Sequence, residues 1–281
     1  MSQNTNPLKQ YFRQPAIYVR LPSNGDFWEE GALNLPVNKE LPVLPMTAID
    51  EITYRTPDSL FNGSAVTRVI ESCVPGINDA WVAPASDIPT LLVSIRIASY
   101  GHDMEMGSTC PECETTGEYT IDLRAVLDGI ALGDYATPLK HGDLEITFQP
   151  MNYRQQNDVN QQQFDQQRTI INVQTSDQLT DEEKIAQLNQ ALERITELTV
   201  GALKYSVASI KTPSVLVTDV NHIGEFLQNC DRKLFTEIRN RIVDLRERSE
   251  FKPIHVTCDN CKHEYDQILN LDQTSFFAPA S

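Results

Sequence analysis

Apolar and polar positions follow two different periods along the chain, and the changes of period outline its elements. Residues 16–21 are rich in β-forming side chains, and the Asn24-Gly25 pair that follows favours a hairpin. Prolines at 36, 42 and 45 forbid a helix interior, which predicts an extended strap or edge strand. We therefore expect residues 1–46 to be an N-terminal arm with a β-hairpin, whose polar, aperiodic first 13 residues are mobile or order on a partner.

Helical spacing begins at Thr47, which we predict to be an N-cap with Asp50 completing a capping box. Pro57 lies where the first turn of a helix tolerates proline. A short helix is predicted to end near Cys73. The next begins at Ser86 and ends at Gly101, and its apolar positions 88, 91, 92, 95 and 98 recur at helical spacing. Residues 47–101 are therefore predicted to be a helical segment.

The second half of the chain also reads as mostly helical. Residues 144–148 alternate as in a strand, and the glutamine-rich stretch 152–173 is predicted to be a solvated helix rather than a disordered tract. Thr180 and Glu183 form the capping box of the next helix. Its apolar seam is expected to pack on helices over 220–228 and 232–248. The seam comprises positions 185, 188, 192, 195, 199 and 202.

Two matching cysteine motifs, Cys110-Pro-Glu-Cys113 and Cys258-Asp-Asn-Cys261, stand far apart in the chain. Each is followed by a similar pattern, Ile121-Asp-Leu in one case and Leu269-Asn-Leu in the other. A C-x2-C turn presents two thiolates on one side of a tight loop, so two turns together offer the four sulfurs that a tetrahedral zinc ion accepts. We predict a closed structural zinc site at these four cysteines, which leaves no ligand position for chemistry.

The cysteines could instead form a disulfide framework, a redox pair or an iron–sulfur cluster. A disulfide framework needs an oxidising compartment, whereas the chain opens without the charged and apolar regions of a signal peptide, which favours a reducing cytosol. Neither motif has the strand-to-helix setting of a thioredoxin-like redox pair. An iron–sulfur cluster is also held by four cysteines, and the sequence leaves this alternative to zinc. Cys73 and Cys230 are predicted to be small buried residues, and His263 a residue near the site or on the surface.

These elements predict an α+β fold: a zinc-stapled β-ribbon from two distant C-x2-C knuckles, with a large helical insertion and an N-terminal strand-bearing arm. After the arm and the helical segment, the predicted domains are 102–150 as the first half of the ribbon, 151–252 as the helical insertion and 253–281 as the second half. Because its ligands come from two distant segments, metal binding is expected to contribute to the free energy of folding.

Composition, charge and the absence of known motifs argue against several classes of function. The 281 residues are 40% hydrophobic and 22% charged, which suits a globular protein, and no run approaches the length of a membrane span. The formal net charge of −16 repels the phosphate backbone of nucleic acids, so we expect no nucleic-acid partner. Because no membrane span is predicted, we also expect no membrane partner. No phosphate-binding, dinucleotide-binding or hydrolase motif occurs, and the five histidines are scattered, so we expect no enzyme. The alternatives are a zinc-ribbon nucleic-acid-binding regulator and a thiol oxidoreductase.

Six sequence segments together are distinctive of a known family. They are Met46-Thr-Ala48, Thr56-Pro-Asp-Ser-Leu-Phe-Asn-Gly63, Ser72-Cys-Val-Pro75, Ile95-Arg-Ile-Ala-Ser-Tyr-Gly101, Cys110-Pro-Glu-Cys113 and Ile121-Asp-Leu123. With these segments the chain resembles the baseplate hub subunit and hub-assembly chaperone family of T-even-type contractile-tailed bacteriophages, best over residues 7–130.

The resemblance implies a non-enzymatic role in building or forming the central hub of a tail baseplate. The implied partners are other baseplate hub proteins and the tape-measure protein. It also implies a location in the host cytoplasm during assembly, or in the virion as part of the tail baseplate.

Overall fold

The computed structural model describes residues 6–56, 63–176, 180–269 and 276–277. The chain forms two compact units. Unit 1 is Met1–Ala80, Asp87–Ala131 and Phe251–Ser281, and unit 2 is Trp81–Ser86 and Leu132–Glu250. Both combine helices with small antiparallel sheets, as predicted for an α+β protein. Over the described residues, no helix combines the length and the apolar character that crossing a membrane requires.

Unit 1 begins with a two-stranded sheet whose strands are distant in sequence. Strand β1 (Ile17–Val19) pairs antiparallel with β2 (Leu41–Val43), and Ile17 lies opposite Val43. The predicted hairpin at Asn24-Gly25 is therefore wrong, although both residues have the positive φ of a tight turn, 54° and 91°. The strap predicted around the prolines supplies the partner strand instead.

Buried hydrogen bonds explain why the chain does not return as a strand after this turn. The Asp87 carboxylate is fully buried and accepts from the Ser23 amide at 3.0 Å, the Ser23 hydroxyl at 2.5 Å and Trp28 Nε1 at 2.9 Å. These bonds hold the loop against the start of a helix rather than leaving its backbone free to pair. Burial raises the pKa of Asp87 to about 6, although the same hydrogen bonds act in the opposite direction.

Three helices pack with this sheet in unit 1: α1 (Ala48–Tyr54), α2 (Ser64–Cys73) and α3 (Ile88–Tyr100). The predicted capping box is confirmed, since Thr47 and Asp50 exchange both bonds. Gly101 ends α3 with a φ of 90°, as its position predicted. Pro57 lies outside the described residues. The core of this part contains one fully buried aromatic ring, that of Tyr54, among aliphatic side chains, of which the largest fully buried ones are Leu41, Ile70, Leu91, Ile95, Val43 and Val66.

The N-terminal arm is tied to the unit at Arg13. Its guanidinium donates to the Pro45 carbonyl at 2.8 Å, to the Ser72 carbonyl at 2.7 Å and to Asp50 Oδ2 at 3.0 Å. A 3₁₀-helix over Pro7–Tyr11 precedes it and has no buried residue. Arg13 thus belongs to the fold of unit 1, and the predicted mobility of the arm stays a prediction.

Two hairpins and a short helix complete unit 1. The first hairpin pairs β3 (Asp103–Thr109) with β4 (Thr116–Asp122), and α4 (Leu123–Asp128) follows. The second pairs β9 (Ile254–Thr257) with β10 (Glu264–Gln267). Strands β3 and β4 flank the first cysteine motif, and strands β9 and β10 flank the second.

Unit 2 is built on a four-stranded antiparallel sheet. Its order is β5 (Leu139–His141), β6 (Leu144–Phe148), β7 (Val207–Lys211) and β8 (Leu216–Val217). Helices α7 (Val220–Asn229) and α8 (Arg232–Glu247) share its hydrophobic cluster. The predicted strand 144–148 is confirmed as β6, but it pairs in unit 2 rather than with the cysteine hairpins. The helix predicted over 232–248 is confirmed as α8, and its buried residues lie along one stripe: Leu234, Ile238, Ile242 and Leu245.

Two long helices, α5 (Tyr153–Thr175) and α6 (Asp181–Leu203), form the rest of unit 2. The glutamine-rich stretch is a helix, as predicted, and the capping box of Thr180 with Glu183 is confirmed. The predicted partners of α6 are largely wrong, because α6 packs chiefly along α5 and makes only a smaller contact with α7. The short connection between α5 and α6 keeps these two helices side by side. Two short 3₁₀-helices, Ala80–Val82 and Lys204–Ser206, complete the elements described.

Candidate metal centre

The two cysteine motifs fold into turns with the same backbone geometry. In the first, Glu114 N–H donates to the Cys110 carbonyl at 3.0 Å, and Cys110 N–H donates to the Thr115 carbonyl at 3.0 Å. In the second, Lys262 N–H and Cys258 N–H make the equivalent bonds, each at 2.9 Å. Glu114 and Lys262 both have positive φ, 55° and 61°. The unit that the sequence repeats is therefore repeated in backbone conformation.

These turns bring all four predicted ligand residues together. The sulfurs of Cys110, Cys113, Cys258 and Cys261 all lie within 4.8 Å of one another. Cys110 Sγ is 3.6 Å from Cys261 Sγ, and Cys113 Sγ is 3.7 Å from Cys258 Sγ. A disulfide requires about 2.05 Å, so all four are free thiols. A tetrahedral zinc ion with Zn–S bonds of about 2.3 Å separates its sulfurs by about 3.8 Å, so the donor set fits a metal of this type.

The cluster is half enclosed. Cys110 and Cys258, the first cysteine of each turn, are buried, whereas Cys113 is partly exposed and Cys261 exposed. Asn260 Nδ2 donates to Cys113 Sγ at 3.7 Å and to Thr115 Oγ1 at 3.2 Å. Thr115 Oγ1 in turn lies 3.4 Å from Cys113 Sγ. Polar groups from both turns thus surround one sulfur and orient it.

The protonation of the sulfurs is uneven. The Thr115 side chain and backbone, followed by Asn260, lower the pKa of Cys113 to about 5. The His263 backbone lowers the pKa of Cys261, but desolvation and the neighbouring sulfurs outweigh it and raise that pKa to about 12. Four adjacent thiols cannot all ionise, because like charges at this distance repel each other. A bound divalent cation would remove that conflict and hold all four as thiolates.

Side chains also join the two hairpins below the turns. The buried Ser108 hydroxyl on β3 lies 2.9 Å from the Tyr265 hydroxyl and donates to Gln267 Oε1 at 2.8 Å, both on β10. The hydrogen bond that the Tyr119 hydroxyl, on β4, makes to Tyr265 is the largest cause that raises the pKa of Tyr119 to about 12. On the inner faces of the hairpins only Ser108, Ile121 and Val256 are fully buried, and the other inner positions are half-buried. Two-stranded hairpins with so little core are marginally stable alone, so a link at their tips stabilises both.

The remaining predicted residues fall outside the cluster. Cys73 is buried, as predicted, and burial raises its pKa to about 12. Cys230 is half-buried at the end of α7, where burial also raises its pKa. His263 stacks on the Tyr265 ring, with centroids 6.2 Å apart. Of the similar patterns that follow the motifs, Ile121, Leu123 and Leu269 are buried, whereas positions 270 and 271 lie outside the described residues.

Sequence reasoning missed the groups that support the cluster. Thr115, Asn260 and Ser108 contact it or join its hairpins, but none belongs to a recognised ligand pattern. A signal for Asn260 existed, because it stands between the two cysteines of its motif, where a short polar side chain is within reach of neighbouring sulfurs. Ser108 gave none, since its partners lie on a strand distant in sequence.

The profile of the family described as T4 bacteriophage base plate protein matches residues 46–278. The chain belongs to this family. The base plate match covers both cysteine turns and most of both units, so the relationship extends through the C-terminal half, beyond the residues on which the resemblance was strongest. It leaves out residues 1–45, which contain β1 and β2. No curated protein and no solved structure matches the chain significantly.

Proposed function

We propose that this base plate protein is a non-catalytic structural subunit or assembly factor of the baseplate hub, stapled by a structural zinc ion. Membership of the base plate family supports a structural role in the phage tail. The hub assignment rests on the sequence resemblance described above. We place the protein in the host cytoplasm during assembly and in contact with other hub proteins and the tape-measure protein.

The observation that carries the metal assignment is the convergence of four sulfurs from two distant segments. Cys110, Cys113, Cys258 and Cys261 would hold the ion and leave no open position for substrate or water, as in structural rather than catalytic zinc sites. The bound ion would supply a cross-link between the hairpins. In this proposal, the zinc-stapled ribbon consists of the two hairpins β3–β4 and β9–β10, which the ion would join at their tips.

Elemental analysis tests the metal assignment. Protein purified without chelators is expected to contain one zinc per chain and no absorption in the visible range. Iron in equal amount with a brown colour would indicate an iron–sulfur cluster instead. Neither metal at stoichiometric level would contradict the proposal. Mass spectrometry of purified virions separates the two hub roles, because a subunit stays in the particle and a chaperone leaves it.

A further inference from the structure

A groove in unit 1 lies between strands β4 and β9. It has a volume of about 410 Å³, and α4 borders it as well. Four consecutive residues of each strand line it, at positions 119–122 and 254–257. Side chains alternate between the two faces of a strand, so four consecutive lining residues indicate that the groove follows strand edges rather than one face of a sheet.

The hydrogen bonds of the first hairpin show which backbone groups of β4 point outward. Leu123 N–H donates to the His102 carbonyl at 2.9 Å. In an antiparallel pair every second residue bonds to the partner strand, and the residues between them turn their N–H and C=O groups the other way. Thr120 lies opposite Glu105 at one of these intermediate positions. The backbone groups of Thr120 therefore point away from β3.

The second hairpin has the same arrangement. Cys258 N–H donates to the His263 carbonyl at 2.9 Å, so His255 and Thr257 turn their backbone groups away from β10. All three outward-pointing residues, Thr120, His255 and Thr257, line the groove. Strands β4 and β9 belong to separate sheets, and no hydrogen bond among the described residues engages these outward groups. Two unpaired strand edges therefore flank the groove.

The lining of the groove includes apolar side chains. Ile121 and Val256 are buried, and Val126 of α4 is half-buried. Unpaired edges beside apolar pockets are where proteins accept an added strand from another chain. An extended peptide offers free N–H and C=O groups to such edges, whereas a helix uses these groups internally. The groove is therefore complementary to an extended segment.

Charge adds a preference at the end of the groove remote from the cysteine turns. Asp122 is paired with Arg124 at 2.7 Å, and His255 lies 3.2 Å from Asp266. Lys252 also lines the groove, is exposed, and has no ion pair with any residue that the structure describes. An acidic side chain of a bound peptide would pair with Lys252. A second copy of the chain would bring another net charge of −16, which opposes association.

We propose that the groove between β4 and β9 binds an extended peptide segment of a partner protein as an added strand. Four lining residues on each strand correspond to about 13 Å, so about four residues of the peptide are bound, with apolar side chains at alternate positions. Antiparallel pairing with β4, the more stable arrangement, places the N-terminal end of the peptide and its Asp or Glu beside Lys252. The groove is a feature of unit 1 itself, so failure to bind a peptide would leave the hub assignment untouched.

Two synthetic peptides test the proposal with the full-length protein purified without chelators. The probe carries fluorescein, begins with Asp and then alternates Val and Thr over five residues. The matched control peptide has the same side chains but is N-methylated at every second residue, which removes the donors along one edge. Fluorescence anisotropy measures Kd, and NMR measures amide exchange. We expect the probe to protect the amides of Thr120, His255 and Thr257, and the N-methylated peptide to bind at least about tenfold more weakly.

Matched variants locate the site on one edge of the first hairpin. Thr120→Pro removes an outward N–H, which an edge strand tolerates, and should raise the Kd about tenfold or more. Glu105→Pro makes the same change at the opposite residue of the other edge and should leave the Kd unchanged. Circular dichroism and Tm check that both variants fold. Lys252→Glu should raise the Kd about threefold, and a probe with Lys in place of Asp should restore it.

Four results would overturn the proposal. The first is no saturable binding of the probe, and the second is a Kd that Thr120→Pro and Glu105→Pro change equally or not at all. The third is equal affinity for both peptides, which would indicate a pocket for apolar side chains rather than a site for a strand. The fourth is a dimer of the free protein that Thr120→Pro abolishes, since a second copy would then be the occupant.

Discussion

Replacing Cys258 by serine removes one buried sulfur and tests whether the two cysteine turns act as one site. Cys258 and Cys113 are 145 positions apart, so the site closes a very long loop. The variant keeps every helix but loses a ligand supplied by the far end of the chain. We expect it to lose its metal, to expose Cys110 and Cys113 to alkylation, and to retain its helical circular dichroism.

The magnitude follows from the length of the loop. The chain-entropy relation for a cross-link gives about 5 kcal/mol for a loop of this size. Ser108 still bonds to Tyr265 and Gln267 after the sulfur is lost, so part of that constraint remains. We therefore expect the free energy of unfolding to fall by roughly 2–4 kcal/mol. For a chain of this size, that loss lowers Tm by about 5–15 °C.

The assay combines scanning calorimetry with alkylation followed by mass spectrometry. Cys230→Ser is the matched control, because it removes a half-buried thiol outside the cluster and should change neither metal content nor the reactivity of Cys110. If Cys258→Ser keeps one metal ion per chain and the Tm of the parent, the four sulfurs do not form a common site. The structural role proposed for the metal would then be refuted.

Two further predictions concern unit 1. Asp87→Asn should remove a pH dependence of the free energy of unfolding. The pKa of Asp87 is raised to about 6 in the fold, so the stabilisation by its protonated carboxyl is full below pH about 4 and is lost as the pH rises through 6. Urea titrations should show that, from pH 4 to pH 7, the free energy of unfolding of the parent falls by about 3 kcal/mol relative to that of Asp87→Asn. The same change with pH in both proteins would contradict this. Arg13→Ala should lower the free energy of unfolding by about 2–3 kcal/mol, because it removes two bonds to half-buried carbonyls and the ion pair with Asp50. Arg20→Ala, which breaks only an exposed ion pair, should change it by less than about 0.5 kcal/mol, and equal effects of the two would argue against the anchoring role of Arg13.

Local features of the sequence predicted local structure well. The capping boxes at Thr47 and Thr180 depend on residues three positions apart, and both form as expected. Each cysteine turn likewise is determined by a few consecutive residues. That the turns meet was predictable because paired C-x2-C motifs are a strong signal of one shared four-cysteine site.

Pairings between distant elements were the part that the sequence did not reveal. The Asn24-Gly25 turn has the predicted backbone, yet β1 pairs with β2 because Asp87 holds the intervening loop. For α6, the spacing of three and four predicted one continuous packed seam, but only part of it is covered: Leu188 and Ile195 are half-buried, whereas Ile185 and Leu192 are exposed. Periodicity identifies which residues share a face, but it does not state which neighbouring element covers that face.

The order of segments shows what a link between the two cysteine turns would contribute. Unit 1 includes a third segment, which begins at Phe251 and follows the whole of unit 2 in the sequence. Its buried apolar residues among those described are Val256, Leu269, Phe276 and Phe277, and the Phe277 ring packs edge-on against Tyr54 with centroids 4.4 Å apart. A two-stranded hairpin is only marginally stable by itself, so the coordination proposed at the turns would add a cross-link that holds β9 and β10 to β3 and β4.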